Sequence, residues 1–390
     1  MKRVSIAEVC SINPRLPASL AAQRDQDVDF VPMANLGEDG RISLNGSRKL
    51  GEVLKGYTYF ENGDVLVAKI TPCMENGKAA YVHNLTHGIA FGSTEFHVLR
   101  PNAGLEPRYL FHMVWTPFFR HEASRNMTGT AGQQRVPTNF FERFEIPLPP
   151  LPEQKRIADI LDKADAIRRK RCEVLSLADS LLPAIFTEMF GRAGNKYEAE
   201  QLDQHLEFLT SGSRGWAEHY VKSGKRFLRS LDVQMNRIGS DDIVYVNPPS
   251  GTEADRTRVR DGDVLVTITG SRIGRVAFIP ESFGEAYVSQ HVAIARLKSS
   301  LLPRYCSMFL SLSDGGQRQI AKAQYGQTKP GLSLTNIREF LVPIPPIKEQ
   351  QRFLAAWEQH ANLMGHQTCS SVDTQTLFNS LVQRAYQGEL

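Results

Sequence analysis

Asn247-Pro248-Pro249-Ser250 opens like the motif with which DNA amino-methyltransferases hold a flipped base, but that chemistry ends on an aromatic face that stacks on the base. Ser250 has no such face. No glycine-rich strand-to-helix turn for a nucleotide cofactor accompanies it, so the stretch reads as a proline turn. No GxxxxGK occurs, which excludes a motor ATPase. The ten histidines include no HExxH and no cluster at ligand spacing. His87 and His121 read as structural, and His112, within an apolar helical stretch, as a satisfied core residue. "GSRIG" at Gly270 to Gly274 reads as a turn rather than a phosphate loop. The sequence offers no catalytic constellation, no cofactor motif and no metal site.

Binding chemistry is better represented. Between Ser211 and Ser230 lie Arg214, Lys222, Lys225, Arg226 and Arg229 against one acid, Glu218, interleaved with Trp216, Tyr220 and Phe227. A basic, aromatic loop of this kind suits phosphate neutralisation and groove contact. "TGSRIGR" adds Arg272 and Arg275, and "GTAGQQR" adds Gln133, Gln134 and Arg135, side chains able to make bidentate contacts to adenine or guanine edges. The run Arg168 to Arg171 reads as a solvated helix face.

These loops need a scaffold, and the chain supplies it twice. "EIPLPPLPEQKRI" from Glu145 returns as "LVPIPPIKEQQRF" from Leu341, 196 residues later. "NGDVLV" at Asn62 answers "DGDVLV" at Asp261, and "DFVPMANL" at Asp29 answers "RFLRSLDV" at Arg226. Within each half, short β-branched runs between Gly, Asn and Pro turns predict a small twisted sheet. Helical stretches follow Pro107 and Pro303. Prolines cannot join a sheet ladder and hold their predecessors extended, so each "PLPP"-like doorway is a stiff exit from a globule into a long helix. Along the first such helix Ile157, Ile160, Ala164, Ile167, Arg171, Val174, Ala178, Leu181 and Ile185 alternate spacings of three and four, a heptad seam that requires a partner helix. Leu161, Leu175, Leu182 and Met189 widen it on one flank and are the candidate partner-docking residues. The expected fold is α+β: two pseudo-symmetric domains, 1–150 and 192–346, each followed by a helical spacer, 151–191 and 347–390. The two long helices are expected to run antiparallel as a coiled coil.

Composition sets the class. The 390 residues are 41% apolar and 23% charged, which suits two globular cores. A net charge of +4, from 46 basic and 42 acidic residues, is too balanced to prove an acidic partner without the local clusters. Five scattered cysteines without a CxxC pair, and no apolar run long enough for a signal or membrane helix, predict a cytoplasmic protein.

Taken together, "AKITPCMENGKAA" (Ala68 to Ala80), "FGSTEFHVLRP" (Phe91 to Pro101), "IPLPPLPEQKRIADILDKAD" (Ile146 to Asp165) and "SGSRGW" (Ser211 to Trp216) resemble the specificity subunit, HsdS, of type I restriction-modification systems. The resemblance covers essentially the whole chain. It implies two target-recognition domains, each reading half of a bipartite site in double-stranded DNA. Two methylation subunits would dock on the helices and restriction subunits would join the assembly, the chain itself catalysing nothing and binding no cofactor. Lys69, Lys78, Ser93 and Thr94 fall in the family-like phrases of the first half. In the second, "SQHV" (Ser289 to Val292) takes the place of Ser93 to Phe96. Arg214, Trp216, Lys225, Arg229, Arg272, Arg275 and Lys329 are the DNA-binding candidates there. Two other readings carry weight: a stand-alone DNA-binding regulator, and a methyltransferase with built-in recognition domains, which would need several hundred further residues with cofactor motifs.

Overall fold

A computed structural model describes residues 2–44, 46–130, 132–239, 242–324 and 331–390, with Ala193 and residues 366–372 as backbone alone. The chain forms two compact units, Met1–Cys172 with Cys369–Leu390, and Glu173–Thr368. It passes between them twice, both times inside a long helix, Leu151–Phe190 or Ile347–Gln387. Lys329 lies outside the described residues.

In the first unit, strands Cys10–Ile12, Phe96–Pro101, Val65–Ala68 and Ala79–Tyr81 form an antiparallel sheet in that order. A second sheet runs Ser47–Lys49, Asp27–Val31, Ile89–Gly92 and Thr58–Glu61, with its middle pair parallel. The unbroken apolar run Val65-Leu66-Val67-Ala68 follows from burial on both faces, because alternate side chains of a strand point opposite ways. Val65 and Val67 join the core with Tyr109, Leu110, Ile157 and Leu161. Leu66 and Ala68 join Val31, Phe60 and Ala80 instead.

The second unit repeats the plan. Leu206–Ser211, Val292–Leu297, Val264–Thr267 and Val276–Phe278 form its antiparallel sheet, and Lys225–Leu228 pairs in parallel with Ala286–Val288 in the other. Val264 and Val266 again face the helices, and Leu265 faces away.

The proline doorways are the best-matched parts. Glu145–Pro147 pairs with Arg3–Ser5, and Leu341–Pro343 with Ala199–Gln201. Each long helix then begins within a few residues of its strand, with Glu153 or Glu349 in the first turn, where the helix dipole favours a negative charge. Buried Gln154 donates to the carbonyls of Gly104 (3.0 Å) and Pro149 (2.9 Å) and accepts from the Glu106 amide (2.9 Å). Gln350 does the same with Ser300, Pro345 and Leu302. Tyr109 and Tyr305 donate their hydroxyls to the Pro147 and Pro343 carbonyls.

Within each unit the two long helices pack antiparallel. In the first, Ile157, Ala158, Leu161 and Ala164 share a core with Phe378, Val382 and Ala385, and Arg156 reaches the Leu390 carbonyl. In the second, Phe186 meets Phe353 and the His360 ring bonds the Ala178 carbonyl at 2.7 Å. The expected seam holds at Ile157, Ala164 and Ala178, which are buried, and is corrected at its alternate positions. Ile167, Val174 and Leu181 remain 55%, 40% and 41% exposed, whereas Leu161 and Leu182, assigned to a docking flank, are 0% and 6% exposed. Met189 packs against the second unit's core and Leu175 is half-buried. The reason is that the first long helix buries one side against both its partner helix and its own globules, so the buried stripe is wider than a two-helix seam and shifted from it.

Gln154→Leu would keep the side-chain volume and remove the three bonds of the clamp. We expect it to cost about 3 kcal/mol, because a buried amide and carbonyls lose their partners. Denaturation with hydrogen-exchange mapping should place the loss in the first unit, and Gln350→Leu should place it in the second.

Candidate nucleic-acid interface

Backbone bonds gather three distant segments of the first unit. The Lys69 amide donates to the Glu95 carbonyl (2.9 Å), the Lys69 carbonyl accepts from Val136 (2.9 Å), and the Thr71 amide donates to Gln134 (2.9 Å). Lys69, Ser93, Thr94, Gln133, Gln134 and Arg135 therefore form one loop cluster although 66 positions separate the outermost two. Gly129 (φ 119°) and Gly132 (φ 81°) supply the left-handed geometry that turns the segment Thr128 to Arg135 back on itself. Thr94 and Gln133 are exposed, and Lys69 and Gln134 half-exposed. Ser93 instead accepts the Glu95 amide through its hydroxyl at 3.2 Å.

Arg135 holds this cluster together. Its guanidinium meets Glu95 through Nε (3.0 Å) and Nη2 (2.9 Å), and Nη1 donates to the Gln133 carbonyl (2.9 Å). These bonds hold the Glu95 carboxyl below the ordinary range. The Lys78 carbonyl accepts from the Ala68 amide (2.9 Å), and its ammonium braces the Met33 carbonyl at 3.2 Å.

In the second unit the corresponding segments converge again. The Ile268 amide donates to the His291 carbonyl (2.9 Å), Leu332 donates to Ile268 (2.9 Å), and Gly212 donates to Val292 (3.1 Å). Gly212 is required for that approach, since a Cβ there would stand 2.2 Å from the Ser289 and Val288 carbonyl oxygens. This places Ser213 and exposed Arg214 beside Ser289. Thr269 bonds the His291 ring. Arg272 donates to the Leu231 carbonyl at 3.0 Å, and half-exposed Arg275 has no side-chain acceptor among the described residues.

Two sequence candidates are tied into the fold, and a third is paired at the surface. Trp216 is 3% exposed and stacks on Phe227 with 5.3 Å between centroids. Its indole fills a small core with Val246 and Tyr287 and has no open face for a base. Arg229 is wrapped by buried Asp232 (3.0 and 3.1 Å) and by Asp242 (3.2 Å), which hold its guanidinium above the ordinary value. Lys225 pairs with Glu285 at 2.7 Å, which leaves that carboxyl below its usual range.

One organising residue was missed. Arg256 donates to the Thr210 hydroxyl, the Ser211 carbonyl (2.7 Å) and the Ser213 hydroxyl (2.6 Å), so it fixes the loop that presents Arg214. The alternating arginines Arg256, Arg258 and Arg260 were the available signal. Among the described residues no cluster of His, Cys, Asp and Glu could hold a metal ion, and no helix is long and apolar enough to cross a membrane.

Two repeats of one α+β plan, each presenting a clustered loop edge and each pairing its long helices, define a duplicated scaffold. The family model for the type I restriction modification DNA specificity domain matches residues 1–175 and 222–367. The chain belongs to that family of type I specificity proteins. It is 40% identical over 163 residues to the EcoEI specificity subunit of Escherichia coli, an overlap of 41% of this chain and 27% of that protein. The chain thus spans about a quarter of that relative's length in the alignment. With the EcoKI specificity subunit of Escherichia coli K12 it shares 25% identity over 337 residues, 80% of this chain and 72% of that one. A solved chain, from a structure titled for complex assembly and conformational transition of the type I R-M system, superposes with a TM-score of 0.59 at 20% identity. That match covers 100% of this chain and 98% of the other, and shows the shared fold.

Because Arg229 neutralises a 5% exposed Asp232, Arg229→Ala should cost about 3 kcal/mol of stability in urea unfolding. Arg214→Ala, at an exposed loop position without such a role, should stay within about 0.5 kcal/mol of the parent.

Proposed function

We propose that each unit reads one half of a bipartite site in double-stranded DNA, and that the chain is a non-catalytic specificity subunit working in the cytoplasm without a cofactor. The observation that carries this reading is the duplicated loop edge. Its backbone frame recurs in both units, while the side chains on it differ, as Thr94, Gln133 and Gln134 in one and Arg214, Gln290 and Arg275 in the other. A shared frame with different side chains suits two half-sites of different sequence. Gln133 and Gln134 suit adenine edges and Arg214 and Arg275 suit guanine edges, with Lys69 on phosphate.

Methylation subunits would dock on the long helices, and restriction subunits would join the complex they form. The exposed apolar side chains of the first long helix support this assignment. Leu177 is 70% exposed, and Ile167, Val174 and Leu181 recur at intervals of seven. This face replaces the flank of Leu161, Leu182 and Met189.

Co-expression with a methylation partner, followed by mapping of modified adenines, tests the reading. Arg214→Ala should relax one half-site and Gln133→Ala the other, each by about 1–3 kcal/mol of discrimination. Uniform weakening at all sequences would make these residues phosphate contacts, and loss of both half-sites from either change would remove the two-reader model.

The long helices would also set the number of unread base pairs. Matched insertions of four residues after Arg171 and after Thr368 keep each face nearly in phase, since four is close to one turn of 3.6. They add about 6 Å of helix, against about 3.4 Å per base pair. The mapped spacer should lengthen by one or two base pairs with unchanged half-sites. An unchanged spacer would mean that something else positions the units.

A further inference from the structure

One cavity in the first unit belongs to neither the loop edge nor the exposed helix face. It has a volume of about 190 Å³, and Glu38, His112, Trp115, Arg120, Arg168 and Phe378 contribute to its wall. Two of these side chains carry a buried nitrogen with no hydrogen-bond partner among the described residues, His112 Nδ1 and Arg120 Nε. His112 is 1% exposed, and its other nitrogen is committed to Asp162 at 2.7 Å. Arg168 is neutralised by Asp165 at 2.6 Å, whereas Arg120 has no carboxylate partner among the described residues. Burial pulls the Arg120 guanidinium below its ordinary value.

The wall is built with some care. Gly77 (φ 82°) lets the Arg120 guanidinium lie against the backbone, where a Cβ would stand 2.5 Å from Nη1. The same glycine's carbonyl accepts from the Trp115 indole at 3.0 Å, so one turn positions both the cation and the ring. Trp115 and Phe378 lie with centroids 6.0 Å apart, and the Arg168 guanidinium carbon is 5.5 Å from each.

The repeat provides a control. If the unpartnered nitrogens served the fold, the second unit would need them too. There, the positions 196 residues after His112 and Trp115 are Met308 and Ser311, and Ser311 bonds the Asn236 amide at 2.8 Å. Leaving buried polar groups unpaired costs about 1–3 kcal/mol each; the second unit leaves atoms of Arg226, Thr267 and Ser289 unpaired elsewhere, but none at these two positions among the described residues.

We propose that this cavity binds a small aromatic carboxylate, with the anion on Arg120 and the ring beside Trp115 and Phe378, whose faces Phe111 and Arg168 already cover in part. An apolar cavity of about 150 Å³ accepts benzene, so the present volume suits a molecule the size of benzoate. Such a ligand touches the globule through Arg120 and Trp115, the first long helix through Arg168 and the second through Phe378. It therefore stabilises the first unit by binding only its folded form.

Sodium benzoate titrated into the full chain by calorimetry, with thermal unfolding in parallel, is the test. One saturable site and a rise in melting temperature are expected, with phosphate and benzyl alcohol at least tenfold weaker. Arg120→Gln should lower benzoate affinity at least tenfold. Glu38→Gln, which removes an exposed carboxylate from the wall without touching the core, should tighten binding a few-fold and serves if the arginine variant does not fold. No saturable binding up to ~10 mM, far above the ~1 mM that corresponds to about −4 kcal/mol, would overturn the proposal. So would phosphate binding as tight as benzoate, or an affinity that Glu38→Gln and a folded Arg120→Gln leave unchanged.

Discussion

Everything outside the globules depends on a small polar clamp where each long helix begins. Prolines at 147, 149, 150 and 152 bring no amide hydrogens, and the carbonyls of buried Pro147 and Pro149 need donors. Gln154 and Tyr109 supply them in the first unit, and Gln350 and Tyr305 in the second. Because Gln154 also grips the Gly104 carbonyl and the Glu106 amide, the first turn of the helix is bonded to the loop that starts Pro107–Val114. The direction of exit is thus fixed by the hydrogen bonds of a side chain that is 1% exposed. A hydrophobic contact alone would leave it free to pivot.

The repeat separates architecture from function inside a single molecule. Asp64, 1% exposed, is held by two Arg100 bonds of 2.7 Å, and Asp263, 0% exposed, by two Arg296 bonds of 2.8 Å. In both, the carboxylate also accepts an amide of the turn before the strand, from Glu61 or Arg260. A buried charge that appears twice with the same partner is a requirement of the fold. Polar groups that appear once, such as the Arg135–Glu95 pair and the Arg256 fork, belong to what each unit does differently.

How much of this was legible in the sequence follows from the kind of force involved. The duplication, the strands at Val65 and Val264 and the helix starts are local patterns, and local patterns survive in a linear text. The phase of the first long helix was legible only in part. Ile167 and Val174 are as apolar as Leu161 and Leu182, and only the position of the globules decides which of them is covered. Charge was misread for a related reason. Arg229 and Arg135 look like free cations in sequence, but Asp232 and Glu95 reach them only in the folded chain. Trp216 stands in a basic loop and reads from sequence as a DNA-binding residue, although in the folded chain Phe227 and Tyr287 pack against its ring.

The loop edges show why such a scaffold can change what it presents without losing its shape. Lys69, Glu95, Gln134 and Val136 are joined through main-chain groups, which any residue other than proline provides. Where side chains do the fastening, they are Arg135 on Glu95, Ser93 on the Glu95 amide, Thr269 on the His291 ring and Arg256 on Thr210 and Ser213. Thr94, Gln133 and Arg214 carry no such duty. Their replacement changes the chemistry of the edge while leaving the hydrogen bonds that hold it in place, so variation at these positions is cheap in stability.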